Sequence, residues 1–374
     1  MKSVKILTIA FILFASISCK EEYYPPVDDS NSNLLVVEGI INPDSTTITL
    51  SRTRNLNDTI RFIPEPNAVV YIEGQSGGQF QLQPKGNGNY TIGAIALNTS
   101  ARYRLRIAVS GSSYESEYVE IKRTPVIDSI SWEQDKDVSI YLNTHDPANN
   151  TRYYRWEFVE TWEHHSFYDT NLGWDGQTVY FRDPSQLLNK CWTTAGSSDI
   201  LLGTSSQLSE DRIERAPITE IPDGSEKITV LYSILVKQYA LNKQAYDFWQ
   251  LLKRNTNNVG GIFDAQPSEL IGNIHCVNKP TEPVIGFISA STVETKRIFI
   301  RRGELSSWNS PSSDFVCTPT FIMFSEWQAY LSSGIYAPAY FSGGGTPPAL
   351  AIARAQCVDC RYQGGNTIKP PFWP

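Results

Sequence analysis

The sequence has few of the residues and motifs on which enzymes and nucleic-acid-binding proteins commonly rely. It contains only four histidines and two methionines in 374 residues, and its first tryptophan is Trp132. It has no P-loop, dinucleotide-binding fingerprint, His-Glu-x-x-His zinc motif or EF-hand loop. A formal charge of −7 and the lack of a basic stripe argue against nucleic acid as a partner, because phosphates need cationic side chains. The hydrophobic content of 41% is that of a globular chain and excludes intrinsic disorder.

The N-terminus has the pattern of a bacterial lipoprotein. Lys2 and Lys5 are followed by a short apolar stretch, which is too short to span a bilayer core of about 30 Å as a helix. Residues 1–18 are therefore predicted to be a signal peptide. The stretch ends in Ser16-Ile17-Ser18-Cys19, which resembles a lipobox, so Cys19 is predicted to be lipidated and to become the mature N-terminus. Since no later segment is long and apolar enough to cross a membrane, the lipid is the predicted anchor.

Residues 19–33 are predicted to form a lipidated tether. The segment is rich in acidic, asparagine and serine residues and has little that could pack, and residues 20–33 reach about 45 Å when extended. Its start, Cys19-Lys20-Glu21-Glu22, resembles the signal that exports lipoproteins of Bacteroidota to the cell surface. The expected location is therefore the outer membrane, lipid-anchored and cell-surface exposed. Generic acidity of a tether is the alternative explanation.

Residues 34–123 show the alternation of short β-strands. Tyr103, Leu105, Ile107 and Val109 follow a strict two-residue period, and turn residues such as Gly86-Asn87-Gly88-Asn89 separate the runs. Strands at this spacing predict a mainly β fold that begins with an Ig-like or transthyretin-like β-sandwich.

Residues 124–374 are predicted to form a larger β-rich domain with one or two helices. Its strongest strand pattern places Tyr154, Trp156, Phe158 and Trp162 on one face. Residues 163–227 are polar and weakly periodic, which predicts a long loop region of functional or mobile character. One helix is predicted around Leu241–Leu252, and a shorter helical turn around Ser325–Leu331.

Five cysteines remain after Cys19 and are candidates for disulfides in an oxidising compartment. They are Cys191, Cys276, Cys317, Cys357 and Cys360. Two bridges and one spare thiol are expected, but the spacing does not determine which cysteines pair. Cys357 and Cys360 form a Cys-x-x-Cys motif, for which the sequence favours a structural role over redox activity because no strand–helix context surrounds it.

No catalytic, cofactor-binding or metal-binding set is predicted, and the chain is expected not to be an enzyme. Gly74-Gln75-Ser76-Gly77-Gly78 matches the serine hydrolase elbow, but a strand follows it where that motif requires a helix. His164 and His165 are adjacent on a strand and should point to opposite faces, which is unsuitable for a shared metal.

Four aromatic residues of the predicted loop region form a candidate binding surface. They are Tyr168, Trp174, Tyr180 and Trp192, which have little predicted core to enter. Exposed tyrosines and tryptophans are common anchors at protein interfaces. The alternative is that they pack in the interior.

The motifs together resemble a family of Bacteroidota lipoproteins that carries domain of unknown function 4249. The resemblance rests on the order and spacing of the lipobox and several short segments along most of the chain. These are Leu35-Val36-Val37-Glu38-Gly39, Asn89-Tyr90, Ile271-Gly272-Asn273-Ile274, Pro283-Val284-Ile285-Gly286-Phe287, Cys357-Val358-Asp359-Cys360-Arg361 and Pro371-Phe372-Trp373. Such proteins are commonly encoded beside TonB-dependent receptors, which implies an outer-membrane β-barrel partner. The family supplies no agreed catalytic residues.

The leading hypothesis is a non-catalytic surface lipoprotein that serves as an accessory subunit of a TonB-dependent β-barrel transporter. Two alternatives remain open at this point. The chain could be a structural subunit of an outer-membrane protein export or assembly complex, or it could be a glycan-active enzyme or glycan-binding protein.

Overall fold

The structure is a computed structural model that describes residues 33–54, 62–257, 270–309, 316–343 and 348–374. The predicted signal peptide, Cys19 and the tether up to residue 32 lie outside the described residues. Within them the chain is mainly β with two α-helices, which confirms the predicted fold class.

The first nine strands lie between residues 35 and 122. Their bounds are β1 Leu35–Ile41, β2 Thr46–Arg52, β3 Ile63–Pro64, β4 Val69–Gly74, β5 Gln79–Gly86, β6 Asn89–Ile92, β7 Arg102–Val109, β8 Ser112–Ser116 and β9 Val119–Lys122. The predicted two-residue period is visible in β7, where Tyr103, Leu105, Ile107 and Val109 are all buried. Asn87 and Gly88 have positive φ in the β5–β6 turn, as a tight hairpin requires.

The middle of the chain adds nine strands and the longer helix. The bounds are β10 Ile127–Gln134, β11 Val138–His145, β12 Tyr153–His165, β13 Leu172–Trp174, β14 Val179–Phe181, β15 Lys190–Gly196, β16 Leu201–Thr204, β17 Arg212–Ile221, β18 Leu231–Leu241 and α1 Lys243–Asn257. The prediction of a long loop at residues 163–227 is thus wrong, because five strands, β13 to β17, lie there. Three of them, β13, β14 and β16, have only three or four residues, so they leave little periodicity in the sequence.

The last part of the chain contributes seven strands and a short helix. The bounds are β19 Ile274–Cys276, β20 Val284–Gly286, β21 Ser289–Ser291, β22 Val293–Arg301, β23 Thr320–Ile322, α2 Trp327–Leu331, β24 Tyr336–Ser342 and β25 Ala349–Arg354. Single turns of 3₁₀ helix occur at 184–186, 226–228, 302–304, 324–326, 355–357 and 360–363.

The N-terminal sandwich consists of β1–β9 together with β19–β21. Strand β21 runs parallel between β1 and β9, which closes a ring of pairings in the order β1-β2-β6-β5-β4-β7-β9-β21. The residues 274–291, which the sequence placed in a second domain, therefore complete the first one. Closure of the ring covers the edges of β1 and β9, which would otherwise expose unpaired backbone groups.

The central sandwich packs two sheets face to face. A three-stranded sheet, β10-β11-β17, covers one face of a sheet in which β12 pairs with β15, β16 and β18, and β18 pairs with β22. The core between them contains the predicted inward face of β12, namely Tyr154, Trp156, Phe158 and Trp162. Its opposite face, which carries Arg155 and Glu157, points away from this core.

A third unit, here called the stapled module, combines the β13–β14 hairpin with α2 and the sheet β23-β25-β24. Its small core contains Leu172 from the hairpin, Trp327 and Leu331 from α2, and Leu350 and Ile352 from β25. Two disulfides stabilise this module. Cys317–Cys357 links two of its own segments, and Cys191–Cys360 links it to β15.

Helix α1 begins near the predicted position and packs its apolar side between the two sandwiches. Ala245, Phe248 and Trp249 are buried and form a cluster with Leu241 of β18 and Phe287 of the N-terminal sandwich. The rings of Phe248 and Phe287 lie 5.5 Å apart between centroids. The helix is thus a packing element that connects the units.

Candidate functional site

The structure determines the cysteine pairing that the spacing left open. Cys191 pairs with Cys360, and Cys317 pairs with Cys357, while Cys276 is a buried free thiol. The two cysteines of the Cys-x-x-Cys motif therefore have different partners, as expected for a structural staple. Both bridges connect the residues that follow β25 to earlier segments of the chain. Cys360 is bonded to Cys191 in β15, and Cys357 is bonded to Cys317 just before β23.

The four aromatic residues predicted as a binding surface are placed in packing positions instead. Trp192 is buried against Leu231 and Trp373, and Tyr168 donates a hydrogen bond from its hydroxyl to the Cys317 carbonyl at 2.7 Å. Trp174 and Tyr180 are half-buried on the β13–β14 hairpin. The prediction is wrong for Trp192, which the C-terminal tail buries, whereas the other three side chains keep part of their surface exposed.

An exposed aromatic surface does exist nearby, built mostly from other residues. It comprises Phe167, Tyr168, Phe321 and Tyr340 and is called here the aromatic face. Tyr168 lies 4.9 Å from Phe167 and 5.9 Å from Tyr340 between ring centroids, and Phe321 lies 6.3 Å from Tyr340. Phe167 is 70% exposed, Phe321 54% and Tyr340 40%.

The aromatic face is supported by a rigid layer of small side chains. Phe321 and Tyr340 both stand opposite Ala351 of the central strand β25, so their rings lean over a residue with almost no side chain. The Cys317–Cys357 bridge and Tyr168 form the layer beside it. Sequence reasoning missed this face because its rings come from segments far apart, and the only signal was the aromatic content after residue 320.

A second feature is a cleft of about 640 Å³ between the two sandwiches. Its residues are Glu38, Gly39, Ile40, Asn42, Asp44, Ser45, Thr47 and Thr49 on the N-terminal sandwich, Arg155, Glu157, Lys237, Tyr239, Val293 and Thr295 on the central sandwich, and Trp249 on α1. The outward face of β12, β18 and β22 forms the floor, and the β1–β2 hairpin forms the opposite wall.

On the floor of the cleft, four side chains contact one another. The Arg155 guanidinium lies 3.8 Å from the centre of the Trp249 ring and donates to the Glu157 carboxylate. Tyr239 also donates to Glu157, at 3.0 Å. Burial, followed by the negative charge of Glu157, raises the pKa of Tyr239, so its hydroxyl keeps its proton. These four side chains hold one another in place.

The other sequence candidates are placed as structural elements. Ser76 lies in the β4–β5 turn, so the hydrolase-like motif is a hairpin. His164 is buried and His165 is exposed beside Glu163, on opposite faces of β12 as predicted. Across the described residues, no group of three or more His, Cys, Asp or Glu side chains could hold a metal ion. No helix in that part of the chain is long and apolar enough to span a membrane.

Fold and sites together define a class: a multi-unit, disulfide-stapled β-protein with an exposed aromatic face and a polar cleft. The chain belongs to the family described as domain of unknown function (DUF4249), whose profile matches residues 20–297. No curated protein matches it. Among solved structures, a two-domain fibronectin type-III segment from chicken tenascin is similar at 13% identity, over 57% of this chain and 92% of that chain, with a TM-score of 0.15.

Proposed function

We propose that this chain is a lipid-anchored protein of the Bacteroidota outer-membrane surface and a non-catalytic accessory subunit of a TonB-dependent β-barrel transporter. The aromatic face is the observation that carries the proposal, since it provides a surface for docking on the barrel. The lipobox-like sequence ending at Cys19 supports the lipid anchor in this proposal.

Exposed rings on a rigid support are typical of an interaction surface. A monomeric soluble protein rarely leaves a contiguous apolar patch of large rings in water, whereas interfaces are enriched in aromatic residues. Ordering costs on binding are low here, because Tyr168, Ala351 and the Cys317–Cys357 bridge already fix the surface. Docking would bury Phe167 and Phe321.

A lipid anchor would favour a partner within the same membrane. A tethered protein meets membrane partners at a high effective concentration, so a modest contact area suffices for a stable complex. Residues 20–33 are long enough to let the described part of the chain reach across the top of a neighbouring membrane protein. An integral β-barrel of the outer membrane fits this requirement.

The first experiment is purification of the tagged full-length lipoprotein from native outer membranes in mild detergent, with identification of the co-purifying proteins. We expect one TonB-dependent barrel in near-equal amount. Phe321→Ser and Tyr340→Ser should each reduce its recovery at least tenfold, as substitutions at interface hot spots do. Phe181→Ser is the matched control, because Phe181 is 69% exposed but contacts Phe341 on the opposite side of the sheet.

The outcomes separate this proposal from its alternatives. Recovery of a secretion or barrel-assembly complex would favour a structural subunit of such a machine. Equal recovery with Phe321→Ser and Phe181→Ser would exclude the aromatic face as the docking surface. Cleavage by protease only after the outer membrane is opened would exclude the cell-surface location.

A further inference from the structure

The cleft has the size and position of a ligand site and contains charges that the protein does not neutralise. Its volume of about 640 Å³ falls within the usual range for small-molecule sites, about 300–1,000 Å³. It lies where two folded units meet, which is a frequent position for such sites. Its lining includes carboxylates, cations, hydroxyls and an amide beside apolar side chains.

Lys237 provides an unpaired positive charge on the floor of the cleft. In the sheet it stands directly between Glu157 of β12 and Thr295 of β22. Opposite charges across neighbouring strands normally pair. Here Glu157 is already engaged by Arg155 and Tyr239, and Lys237 forms no ion pair or hydrogen bond with any described residue. Its half-buried ammonium is thus available to an anionic group of a ligand.

Glu38 provides the opposite charge on the facing wall. It lies on β1, opposite Thr49 of β2, and its carboxylate has no partner in the described part of the chain. Glu38 and Lys237 do not pair with each other across the cleft. The cleft therefore presents an acceptor for a cation and a donor for an anion on two separate walls.

The aromatic residues of the cleft are unsuited to a sugar ligand. Pyranose rings are usually bound by stacking on an open aromatic face, but Arg155 covers the Trp249 ring. The Tyr239 side chain is buried, and its hydroxyl is committed to Glu157. What remains is a set of polar side chains, including Thr47 and Thr295, together with the charged groups of Glu38, Asp44 and Lys237.

We propose that the cleft binds short peptides with free termini, with the C-terminal carboxylate at Lys237 and the N-terminal ammonium at Glu38. The hydroxyl groups of Thr47 and Thr295, which line the same cleft, can bond the peptide amides. This inference goes beyond the transporter role and does not require docking on a barrel. If both hold, the captured solute is a peptide.

The test is isothermal titration of the full-length lipoprotein in detergent with dialanine, trialanine and tetraalanine. We expect saturable binding of at least one of them. Lys237→Gln and Glu38→Gln should each weaken it about tenfold, the usual effect of losing a charged hydrogen bond. Lys136→Gln and Glu120→Gln are matched controls, because both residues are exposed and lie outside the cleft.

Capped peptides assign each terminus to its wall. Amidation of the C-terminus should weaken binding to the unmodified protein but have no further effect on Lys237→Gln. Acetylation of the N-terminus should weaken binding to the unmodified protein but have no further effect on Glu38→Gln. Absence of saturable heat at millimolar peptide overturns the proposal, as does equal affinity for free and capped peptides. Binding of maltotriose in place of the peptides would assign the cleft to sugars.

Discussion

The N-terminal sandwich closes its sheet with strands from residues 274–291, whereas the stapled module surrounds a small core with two disulfides. The sandwich buries a large set of aliphatic residues and has no bridge, since Cys276 is a free thiol within it. The module has a much smaller core and many exposed rings. Covalent links allow a unit with little interior to keep aromatic residues on its surface.

The two units can also be observed separately. All nine tryptophans lie outside the N-terminal sandwich, whereas Trp174 and Trp327 lie in the stapled module. Tryptophan fluorescence therefore reports on the central sandwich and the module, and hydrogen exchange can report on the N-terminal sandwich. A change confined to one unit should therefore alter one of these two signals and not the other.

The largest effect is expected from removal of the Cys191–Cys360 bridge. The cysteines are 169 positions apart, and the chain-entropy account of a loop of this size gives about 5 kcal/mol of stabilisation. The double variant Cys191→Ala with Cys360→Ala should lose most of this free energy of unfolding. The measurement is urea unfolding, monitored by far-ultraviolet circular dichroism and tryptophan fluorescence. Cys276→Ala is the control, because it removes a buried thiol without a bridge. A loss no greater than that of the control would show that the module does not depend on its staple.

A smaller loss of stability is expected when the closure of the N-terminal sandwich is disturbed. Ile288 is fully buried between β20 and β21, so Ile288→Ala should cost about 3 kcal/mol by creating a cavity. Hydrogen exchange should increase in β1 and β9, which β21 joins, while tryptophan fluorescence reports an unchanged transition elsewhere. Ile335→Ala, at a position that is 61% exposed, should have little effect. Unchanged exchange in β1 and β9 would mean that the ring of pairings is not needed for stability.

The smallest effect concerns pH. Burial lowers the pKa of His164, and its Nε2–H donates to the Cys360 carbonyl at 3.3 Å. The unfolded chain binds a proton near pH 6.5 while the folded chain resists it, so stability falls as the pH drops below about 6.5 and is regained above it. Thermal unfolding between pH 7.5 and 5.5 should therefore show a shallower slope for His164→Gln. His165→Gln, at the exposed neighbour, should retain the slope; equal slopes in both variants would assign the effect to other groups.

Much of the β-structure was predictable because strands with one buried face leave a two-residue period. This holds for β7 and β12, and the helix α1 was equally clear from its apolar spacing. The set of cysteines was predictable as well, but their pairing was not, because a bridge depends on distance in space. The β13–β14 hairpin escaped detection since each strand has only three residues.

The candidate sites were the least predictable part. Tyr168 and Tyr340 lie close together only because the segment after β12 packs against the C-terminal sheet, so no local sequence pattern predicts their contact. The same holds for Glu38 and Lys237, which face one cleft from different sandwiches. Of the four aromatic residues chosen from the sequence, Trp192 is buried, Trp174 and Tyr180 are half-buried, and Tyr168 belongs to the aromatic face.

The sequence by itself determined the mainly β composition of the chain, the lipoprotein-like leader and the set of cysteines available for bridges, because each is a local or compositional property. The tertiary structure decided the pairing of Cys191 with Cys360, the return of residues 274–291 to the first sandwich, the aromatic face and the cleft. Each of these depends on contacts between segments distant in the chain, and such contacts are selected by the packing of the whole core.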